Sequence, residues 1–487
     1  MTVAQELDYV DVLIVGAGLS GVGAACYMKK QCPERSIRLL EARERMGGTW
    51  DLFRYPGIRS DSDMFTLGYA FKPWTEPKSL ADGPSILNYI RTTAAEYDIE
   101  RHIHYQQRVV CAQWDSQRAR WTVTVQSGDG GEERKMECNF LYSCSGYYRY
   151  DQGYSPEFKG QQDFTGTIVH AQHWPEDLDY AGKKVVVIGS GATAVTLVPE
   201  LARKTAMTTM LQRSPSYVAS VPGEDKMAVW LRKWLPETWV YRIVRLKKVS
   251  FQMLTFNYAR KRPQRARALL LGMVRKELGP DYDVATHFTP RYNPWDERLC
   301  AVPDSDMFAA IRNQRAQVVT DHIDHFTASG IALQSGKHLE ADIIVLATGL
   351  NMLFMGGIEL TVDGKPITPS EHYVYRGMML SDVPNFVQVF GYTNSSWTLK
   401  ADLTAQYVCR MFKHMRKHNK QFVVPVLNEG SVTEEPMLDF TSGYIKRSIG
   451  AFPRQAREKP WRVYQNYFLD VISLRFSSLT RTALRFR

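Results

Sequence analysis

Two stretches of the sequence carry glycines at a spacing that brings a polypeptide backbone close to a phosphate group. Residues 16–21 read Gly-Ala-Gly-Leu-Ser-Gly, and residues 189–194 read Gly-Ser-Gly-Ala-Thr-Ala. Glycines permit a tight turn after a strand, and backbone N–H groups at the start of the next helix can then bind a pyrophosphate. We therefore expect this chain to bind two dinucleotides.

The first glycine loop belongs to a complete strand–loop–helix–strand unit. Apolar residues 9–15 precede it, a helical pattern follows, and a second strand at residues 36–40 ends at Glu41. A carboxylate there accepts hydrogen bonds from ribose hydroxyls and repels a 2′-phosphate, so FAD or NAD is favoured over NADP. Small residues at positions 46–50 favour FAD, and a purely structural glycine turn is the alternative. The predicted contacts of this site are Gly16, Gly18, Ser20, Gly21, Glu41, Thr49, Trp50, Asp51, Leu52, Arg59, Ser60, Asp61 and Val109.

The second glycine loop follows a predicted buried strand at residues 183–188. A helix runs from it towards Leu201, and the next strand, at residues 208–211, ends at Gln212 and Arg213. A guanidinium at that place can pair with a 2′-phosphate, which the acid of the first unit would repel. NADPH is therefore the predicted second dinucleotide, and a solvent-facing Arg213 is the alternative. The predicted contacts are Gly189, Ser190, Gly191, Ala192, Thr193, Ala194, Gln212 and Arg213.

Composition limits the class of protein. A chain of 487 residues exceeds what one hydrophobic core usually organises, so two or three domains are expected. No apolar run approaches the roughly 20 residues that a membrane-spanning helix needs. The seven cysteines include no Cys-x-x-Cys pair and no signal peptide is visible, which favours a cytoplasmic protein. No metal site is predicted.

Much of the net charge of +10 falls in a basic region at about residues 226–276. Its lysines and arginines are interleaved with aromatic residues, among them Trp230, Trp234 and Trp239. Such a stretch forms either a solvated helical face, which is favoured here, or a surface for peripheral contact with anionic lipid headgroups. Nucleic-acid binding is not expected, because no recognition motif accompanies the charge.

The segment between the two loops carries a family signature. Residues 164–175 read F-T-G-T-I-V-H-A-Q-H-W-P, which resembles the fingerprint of type I Baeyer–Villiger monooxygenases through its Phe-x-Gly, His170 and Trp174 positions. Residues 48–61 resemble a second signature of that family, Gly-x-Trp-x4-Tyr-Pro-Gly-x3-Asp. Longer stretches are similar to the family members that activate ethionamide, at residues 51–64, 173–180, 186–199 and 292–300.

The resemblance implies two catalytic residues, Arg298 and Asp61. In this family NADPH reduces FAD, O2 gives a C4a-peroxyflavin, and one oxygen is inserted beside a ketone carbonyl to form an ester or lactone. Arg298 aligns with the arginine that would stabilise the negatively charged adduct, and Asp61 would orient it. A helix N-cap is the alternative for Asp61, and an ion pair with Asp296 or Asp304 is the alternative for Arg298.

Several functional alternatives stay open at this point. Many relatives carry lysine where this chain has Glu297, so coenzyme preference would depend more on Arg213. His170 and Trp174 are interpreted as fixing the relative position of the two cofactor domains rather than as catalytic groups. The expected substrate is a small ketone or sulfide together with O2. Sulfur or nitrogen oxidation, uncoupled NADPH oxidation and a non-catalytic flavoprotein redox sensor are the alternative functions.

The expected fold class is α/β, with two Rossmann-like dinucleotide-binding domains, for FAD and NADPH, and a helical insert. Residues 108–112 and 121–125 predict a hairpin region, and residues 340–349 predict a strand that closes the flavin domain at a glycine. The predicted domains are residues 1–150 as the first part of the FAD domain, 151–335 as the NADPH domain with the insert at about 224–280, and 336–487 as the second FAD part with the tail.

Overall fold

The computed structural model describes residues 7–297, 299–427, 432–437 and 443–487. The helices are α1 (Leu19–Gln31), α2 (Thr49–Leu52), α3 (Met64–Leu67), α4 (Gly83–Glu96), α5 (Ala192–Leu201), α6 (Lys226–Leu231), α7 (Glu237–Lys261), α8 (Pro263–Leu278), α9 (Val284–Phe288), α10 (Asp306–Arg312), α11 (Trp397–Lys417), α12 (Gly443–Ser448) and α13 (Tyr467–Val471). The strands are β1 (Asp8–Val15), β2 (Ile37–Leu40), β3 (Ile103–His104), β4 (Gln107–Asp115), β5 (Arg120–Ser127), β6 (Glu133–Ser143), β7 (Thr167–His170), β8 (Lys184–Ile188), β9 (Met207–Gln212), β10 (Val218–Val221), β11 (Cys300–Pro303), β12 (Ala316–Thr320), β13 (Ile323–Thr327), β14 (Gly330–Leu333), β15 (His338–Glu340), β16 (Ile343–Leu346), β17 (Glu359–Val362), β18 (Lys365–Ile367), β19 (Val374–Tyr375), β20 (Met379–Leu380), β21 (Phe386–Gln388), β22 (Val423–Pro425), β23 (Glu434–Pro436), β24 (Arg454–Ala456) and β25 (Leu484–Phe486).

The first large sheet is organised around β1. Its strands follow the order β18-β17-β4-β5-β6-β1-β2-β3, and β21 also pairs with β6. β1 runs parallel to β2 and β6, and its C-terminal residues are buried, as expected for a strand covered on both faces. β4 and β5 pair antiparallel, which confirms the predicted hairpin region.

The second large sheet is entirely parallel, in the order β12-β9-β8-β16-β7. β16 is fully buried between β8 and β7. The sequence prediction gave residues 340–349 to the flavin domain, and the strand of this segment is instead part of the sheet that carries the second glycine loop. The prediction failed because a buried Ile-Ile-Val-Leu run fits the centre of either sheet, and only long-range pairing decides between them.

The predicted helical insert is present as α6, α7 and α8. Helix α7 is anchored on the first domain by Arg245, which is 8% exposed. Its Nη1 donates to the carbonyl oxygens of Phe65 at 2.8 Å and Gly68 at 2.7 Å, and its Nη2 lies 3.2 Å from Asp402 Oδ2 on α11. These partners are needed because a buried guanidinium without acceptors and a counter-charge would lower the stability of the folded protein.

The C-terminal segment returns to the first domain. β25 pairs antiparallel with β22, and α13 continues into a π-helical turn at Ile472–Phe476. The π-helical turn contacts α11, which in turn packs along α1. No helix in the described part of the chain has the length and apolarity needed to cross a membrane. The fold confirms the α/β class with Rossmann-like units and a helical insert.

Candidate active site

One continuous cleft of about 1130 Å³ extends along the carboxyl ends of β1 and β8, and both glycine loops line it. Ligands of open parallel sheets bind at these strand ends, beyond the last residues of the strands. Sixteen of the predicted contacts lie on the wall of the cleft: Gly16, Gly18, Ser20, Glu41, Thr49, Trp50, Arg59, Ser60, Asp61, Val109, Gly189, Ser190, Gly191, Ala192, Thr193 and Arg213.

Close backbone approach explains the glycines of the first loop. Gly16 has a φ of +98°, and a Cβ atom on it would lie 2.7 Å from the carbonyl oxygen of Cys144. A Cβ on Gly21 would lie 1.9 Å from the carbonyl oxygen of Gly16, so this glycine lets α1 pack against the loop and does not face the cleft. The loop thus directs the N-terminus of α1 towards the cleft, where an anionic group is stabilised.

Glu41 directly follows β2 and is only 6% exposed. Its Oε2 accepts a hydrogen bond from Ala17 N at 2.8 Å and its Oε1 accepts one from Arg43 N at 3.0 Å. Burial raises the pKa of Glu41, and these two donors oppose the rise. The side chain is therefore held rigidly at the edge of the first loop.

The second loop has the same construction. Gly189 has a φ of +145°, and a Cβ on it would lie 2.3 Å from the carbonyl oxygen of Ala347, whereas Gly191 has open space where its Cβ would be. Arg213 follows β9, is exposed and lines the cleft. Asp321 follows the neighbouring strand β12, donates its backbone N–H to Gln212 O at 2.9 Å and also lines the cleft. Sequence inspection missed Asp321, because the pairing of β9 with β12 is not visible in the sequence.

Residues 55–61 lie between the two loops and bring Asp61 to the cleft. Burial raises the pKa of Tyr55, and the negative charge of Asp61 raises this pKa further. Arg59 lines the same wall and pairs through Nη1 with Asp306 Oδ2 on α10 at 2.5 Å. This ion pair joins the segment after the first loop to the second unit. Within the described residues, the buried Nε of Arg59 has no hydrogen-bond acceptor.

Asp51, a predicted cofactor contact, lies off the cleft with a fully buried side chain. Four arginines surround its carboxylate: Arg43 at 2.8 Å, Arg54 at 2.9 Å, Arg45 at 3.3 Å and Arg91 at 3.5 Å. The Asp51 carboxylate is therefore the negative centre of a cluster of four guanidinium groups. The sequence gives no sign of this, because Arg91 comes from the distant helix α4.

Three further predicted contacts have side chains that face the protein interior. Leu52 packs against the core of the second unit, and Ala194 is fully buried in that core. The Nε2 of Gln212 donates to His287 O and to Thr320 Oγ1, both at 2.8 Å. These three residues support the loops that line the cleft. Arg298, the predicted catalytic arginine, lies outside the described residues.

An aromatic wall of the cleft was not predicted from the sequence. The ring of Tyr147 stacks on Trp397, with centroids 5.1 Å apart, and lies 4.2 Å from the ring of Tyr148. Trp397 Nε1 donates to Ser20 Oγ at 2.7 Å, so Ser20 is tied to this wall. Asn394 also lines the cleft, and its buried Oδ1 has no hydrogen-bond partner within the described residues. The tyrosines directly follow the Ser-Cys-Ser-Gly turn after β6, which is the signal that could have identified them.

His170 and Trp174 of the linker signature lie away from the main cleft. The imidazole of His170 at the end of β7 has its Nε2 3.3 Å from Tyr154 O, and its Nδ1 accepts from Gln172 N at 3.1 Å. Burial lowers the pKa of His170. A Cβ on Gly153 would lie 2.0 Å from the ring, so the imidazole is packed tightly against the linker.

Each glycine loop belongs to a unit of parallel strands, and both units open into one cleft. This arrangement is typical of a class of proteins, the oxidoreductases with two dinucleotide-binding domains. The profile of the flavin-binding monooxygenase-like family matches residues 74–229, and that of an NAD(P)-binding Rossmann-like domain matches residues 14–73. Solved structures share the fold. A steroid monooxygenase bound to NADP has a TM-score of 0.72 at 24% identity over 86% of this chain and 88% of its own. The open structure of cyclohexanone monooxygenase has a TM-score of 0.71 at 21% identity over 86% and 90%.

Sequence similarity narrows the class to a family. The FAD-containing monooxygenase EthA of Mycobacterium tuberculosis is 51% identical over 480 residues, which cover 98% of this chain and 98% of that protein. The chain belongs to the FAD-containing monooxygenases.

Proposed function

We propose that this protein is an NADPH- and O2-dependent Baeyer–Villiger monooxygenase that uses FAD to convert a ketone into an ester or lactone. Ketone, O2, NADPH and one proton would give the ester, NADP+ and water. One oxygen atom enters between the carbonyl carbon and a neighbouring carbon, and the other leaves as water. The observation that carries the proposal is that both glycine loops and Asp61 line one cleft.

The residues of the first unit fit FAD. The backbone at Gly16 approaches the strand end too closely for any side chain, and Gly18 lies against Gly48, where a Cβ would be 3.4 Å from the Gly48 Cα. The N-terminus of α1 and the fixed carboxylate of Glu41 are suited to a pyrophosphate and its ribose. Thr49 and Trp50 border the same space, which the wall of Tyr147 and Trp397 extends.

The residues of the second unit fit NADPH. Gly191 leaves open space at the start of α5, so a pyrophosphate can approach the helix N-terminus. Arg213 supplies an exposed guanidinium for a 2′-phosphate. Asp321 beside it can accept hydrogen bonds from neutral donors of the nucleotide.

When bound, FAD that has been reduced by NADPH supplies the electrons for oxygen activation. From the family signature we propose that Arg298 stabilises the negative charge that develops on the ketone oxygen, with Asp61 as its orienting carboxylate. The buried Nε of Arg59 and Oδ1 of Asn394 are a donor and an acceptor available to bound molecules. We further propose a cytoplasmic enzyme whose FAD part comprises residues 1–150 and 350–487 and whose NADPH part comprises residues 151–349.

A substrate panel tests this function. The FAD-loaded protein would be supplied with NADPH and O2 and with matched ketones and sulfides, and esters, sulfoxides and hydrogen peroxide would be quantified. Ester formation from at least one ketone, in step with NADPH consumption, is expected. Sulfoxide formation without ester from any ketone would establish a sulfur monooxygenase. Hydrogen peroxide as the only product would establish an NADPH oxidase. If NADPH does not bleach the flavin, the protein is a non-catalytic flavoprotein.

A further inference from the structure

The large exposed apolar side chains of this protein are gathered on one set of elements. Among the described residues, all of them except Tyr9 belong to α6–α8 with their connections or to residues 468–476 of the tail. The most exposed are Trp234 at 73%, Leu254 at 68% and Phe476 at 77%. We call these elements the apolar face. Soluble domains rarely leave such groups contiguous unless the surface binds something.

Helix α7 has two faces with different partners. Trp239, Leu246 and Leu254 are separated by seven and eight residues, about two helical turns each, so their side chains project in one direction. On the opposite side Tyr241 and Arg245 are buried against the first domain, where they donate hydrogen bonds to the carbonyl oxygens of Tyr69 and Gly68. The helix is therefore held firmly from within and presents apolar side chains outward.

The tail continues this surface. Tyr467 packs against the cluster that contains Val249 and Met253, so α13 begins beside α7. Phe468, Ile472 and Phe476 follow at intervals of four residues and are exposed at 37%, 61% and 77%. Two separate segments of the chain, α6–α8 and the tail, thus carry the exposed apolar groups.

The charge of the apolar face indicates its partner. Residues 226–278 contain fourteen lysines and arginines and two acidic residues. Arg245 among them is buried, whereas Lys233, Arg242, Lys261 and Arg265 are exposed between the apolar side chains. Cations attract anionic lipid headgroups, and tryptophan favours the boundary between headgroups and acyl chains.

We propose that the apolar face docks on the surface of an anionic lipid bilayer, with the tryptophans at headgroup depth. A second copy of the chain suits this face less well, because a two-fold contact would bring one basic surface against another. Helix α7 also carries Gln252, which lines the cleft, and Phe256, whose ring packs on Trp295 of the cleft wall at 5.8 Å. Docking would therefore bring the cleft close to the bilayer.

Vesicle sedimentation tests the proposal with the FAD-loaded full chain. We expect binding to phosphatidylcholine vesicles that contain phosphatidylglycerol, and binding weaker by at least tenfold to phosphatidylcholine alone or at high salt. The described tryptophans that are exposed all lie on the apolar face. Brominated acyl chains should therefore quench tryptophan fluorescence on binding.

Matched variants distinguish vesicle binding by the apolar face from nonspecific binding of the protein to vesicles. Trp234→Ser with Leu254→Ser, and separately Lys233→Gln with Lys261→Gln, should each weaken binding to anionic vesicles on the order of tenfold. Tyr9→Ser and the pair Lys135→Gln with Lys420→Gln remove exposed groups elsewhere and should leave binding unchanged. Unchanged thermal midpoints and FAD content would show that the variants fold.

Three results would overturn the proposal. The first is no binding of the unaltered protein to anionic vesicles at low salt. The second is equal binding by the Trp234→Ser, Leu254→Ser variant. The third is a concentration-dependent dimer, abolished by that variant, without vesicle binding, which would identify a second copy as the occupant. Ketone oxidation without vesicles tests the proposed function separately.

Discussion

Glu41 and Arg213 occupy corresponding positions at residue scale, each directly after the second strand of its nucleotide unit, and carry opposite charges. Arg213→Ala should raise the KM for NADPH about tenfold to a hundredfold, because a charge-assisted contact to a phosphate contributes roughly 1.5–3 kcal/mol. The KM for NADH, which lacks the 2′-phosphate, should change little. Steady-state kinetics with both coenzymes measure this.

Arg203→Ala is the matched control for Arg213. Arg203 is an exposed arginine of the second unit that pairs with Glu200 and does not line the cleft. It should leave both KM values unaltered. An equal rise for NADPH and NADH at Arg213→Ala would show that this residue does not recognise the 2′-phosphate.

Asp61 offers a second test at residue scale, since it lines the same cleft as the two loops. Asp61→Asn keeps the size and removes the charge that would orient Arg298. Flavin reduction by NADPH should survive, while ester formation falls by about a hundredfold or more and peroxide release rises. Anaerobic reduction kinetics and product analysis separate the two steps. If flavin reduction by NADPH is lost while ester formation stays in proportion to NADPH consumption, Asp61 contributes to coenzyme binding instead.

At this scale, the sequence predicts the surroundings of some residues and not of others. Gly16, Gly189 and Arg213 lie on the wall of the cleft, where local backbone geometry and strand position predict them. The arginines around Asp51 could not be predicted, because they converge only in the folded chain. Trp397, which stacks on Tyr147 in the cleft, comes from a helix about 250 residues further along the chain, and no local pattern marks it.

At the scale of elements, α7 depends on a buried ion pair with α11. Arg245→Met should destabilise the protein by about 3 kcal/mol, because it removes the counter-charge of Asp402 and the donor to several buried carbonyl oxygens. Arg242→Met, on the exposed side of the same helix, should change stability by less than about 0.5 kcal/mol. Thermal unfolding of the FAD-loaded proteins measures both. Equal stability of the two variants would contradict the anchoring role.

The Arg245 effect should also depend on pH. Burial raises the pKa of Asp402 to about 6, against the opposing charge of Arg245. For a carboxyl whose pKa is raised on folding, stability is full below the unfolded pKa and is lost as pH rises through the folded one. Removal of the cation raises that pKa further, so the stability deficit of Arg245→Met should grow as the pH rises above about 6. A pH-independent deficit would show that Asp402 does not take up the proton.

Elements with their own local signals were predictable. The two strand–glycine–helix units and the region around the β4–β5 hairpin lie where periodicity and turn residues put them. The strand β16 was given to the wrong sheet because two parallel sheets use the same apolar runs. Pairing between distant strands is a property of the whole chain and has no local sequence signal.

At the scale of the whole molecule, the cleft exists only because two units are held against each other. Arg59 from the segment after the first loop pairs with Asp306 on α10, and both side chains are largely buried, at 12% and 23% exposure. The sequence predicts Arg59 as a direct cofactor contact, and the ion pair with Asp306 offers positioning of the second unit as an alternative role. These two roles make different predictions for combined substitutions.

A double-mutant cycle on NADP+ binding distinguishes the two roles of Arg59. If the ion pair positions the units, Arg59→Met and Asp306→Asn should each weaken NADP+ binding to the FAD-loaded protein about tenfold, and the double variant should be no weaker than either. Arg312→Met, which removes another ion pair of α10 away from the cleft, should have no effect. If Arg59 instead contacts a cofactor directly, Arg59→Met will weaken binding further in the Asp306→Asn background. Calorimetric titration of the four proteins decides, because the coupling energy is large in the first case and near zero in the second.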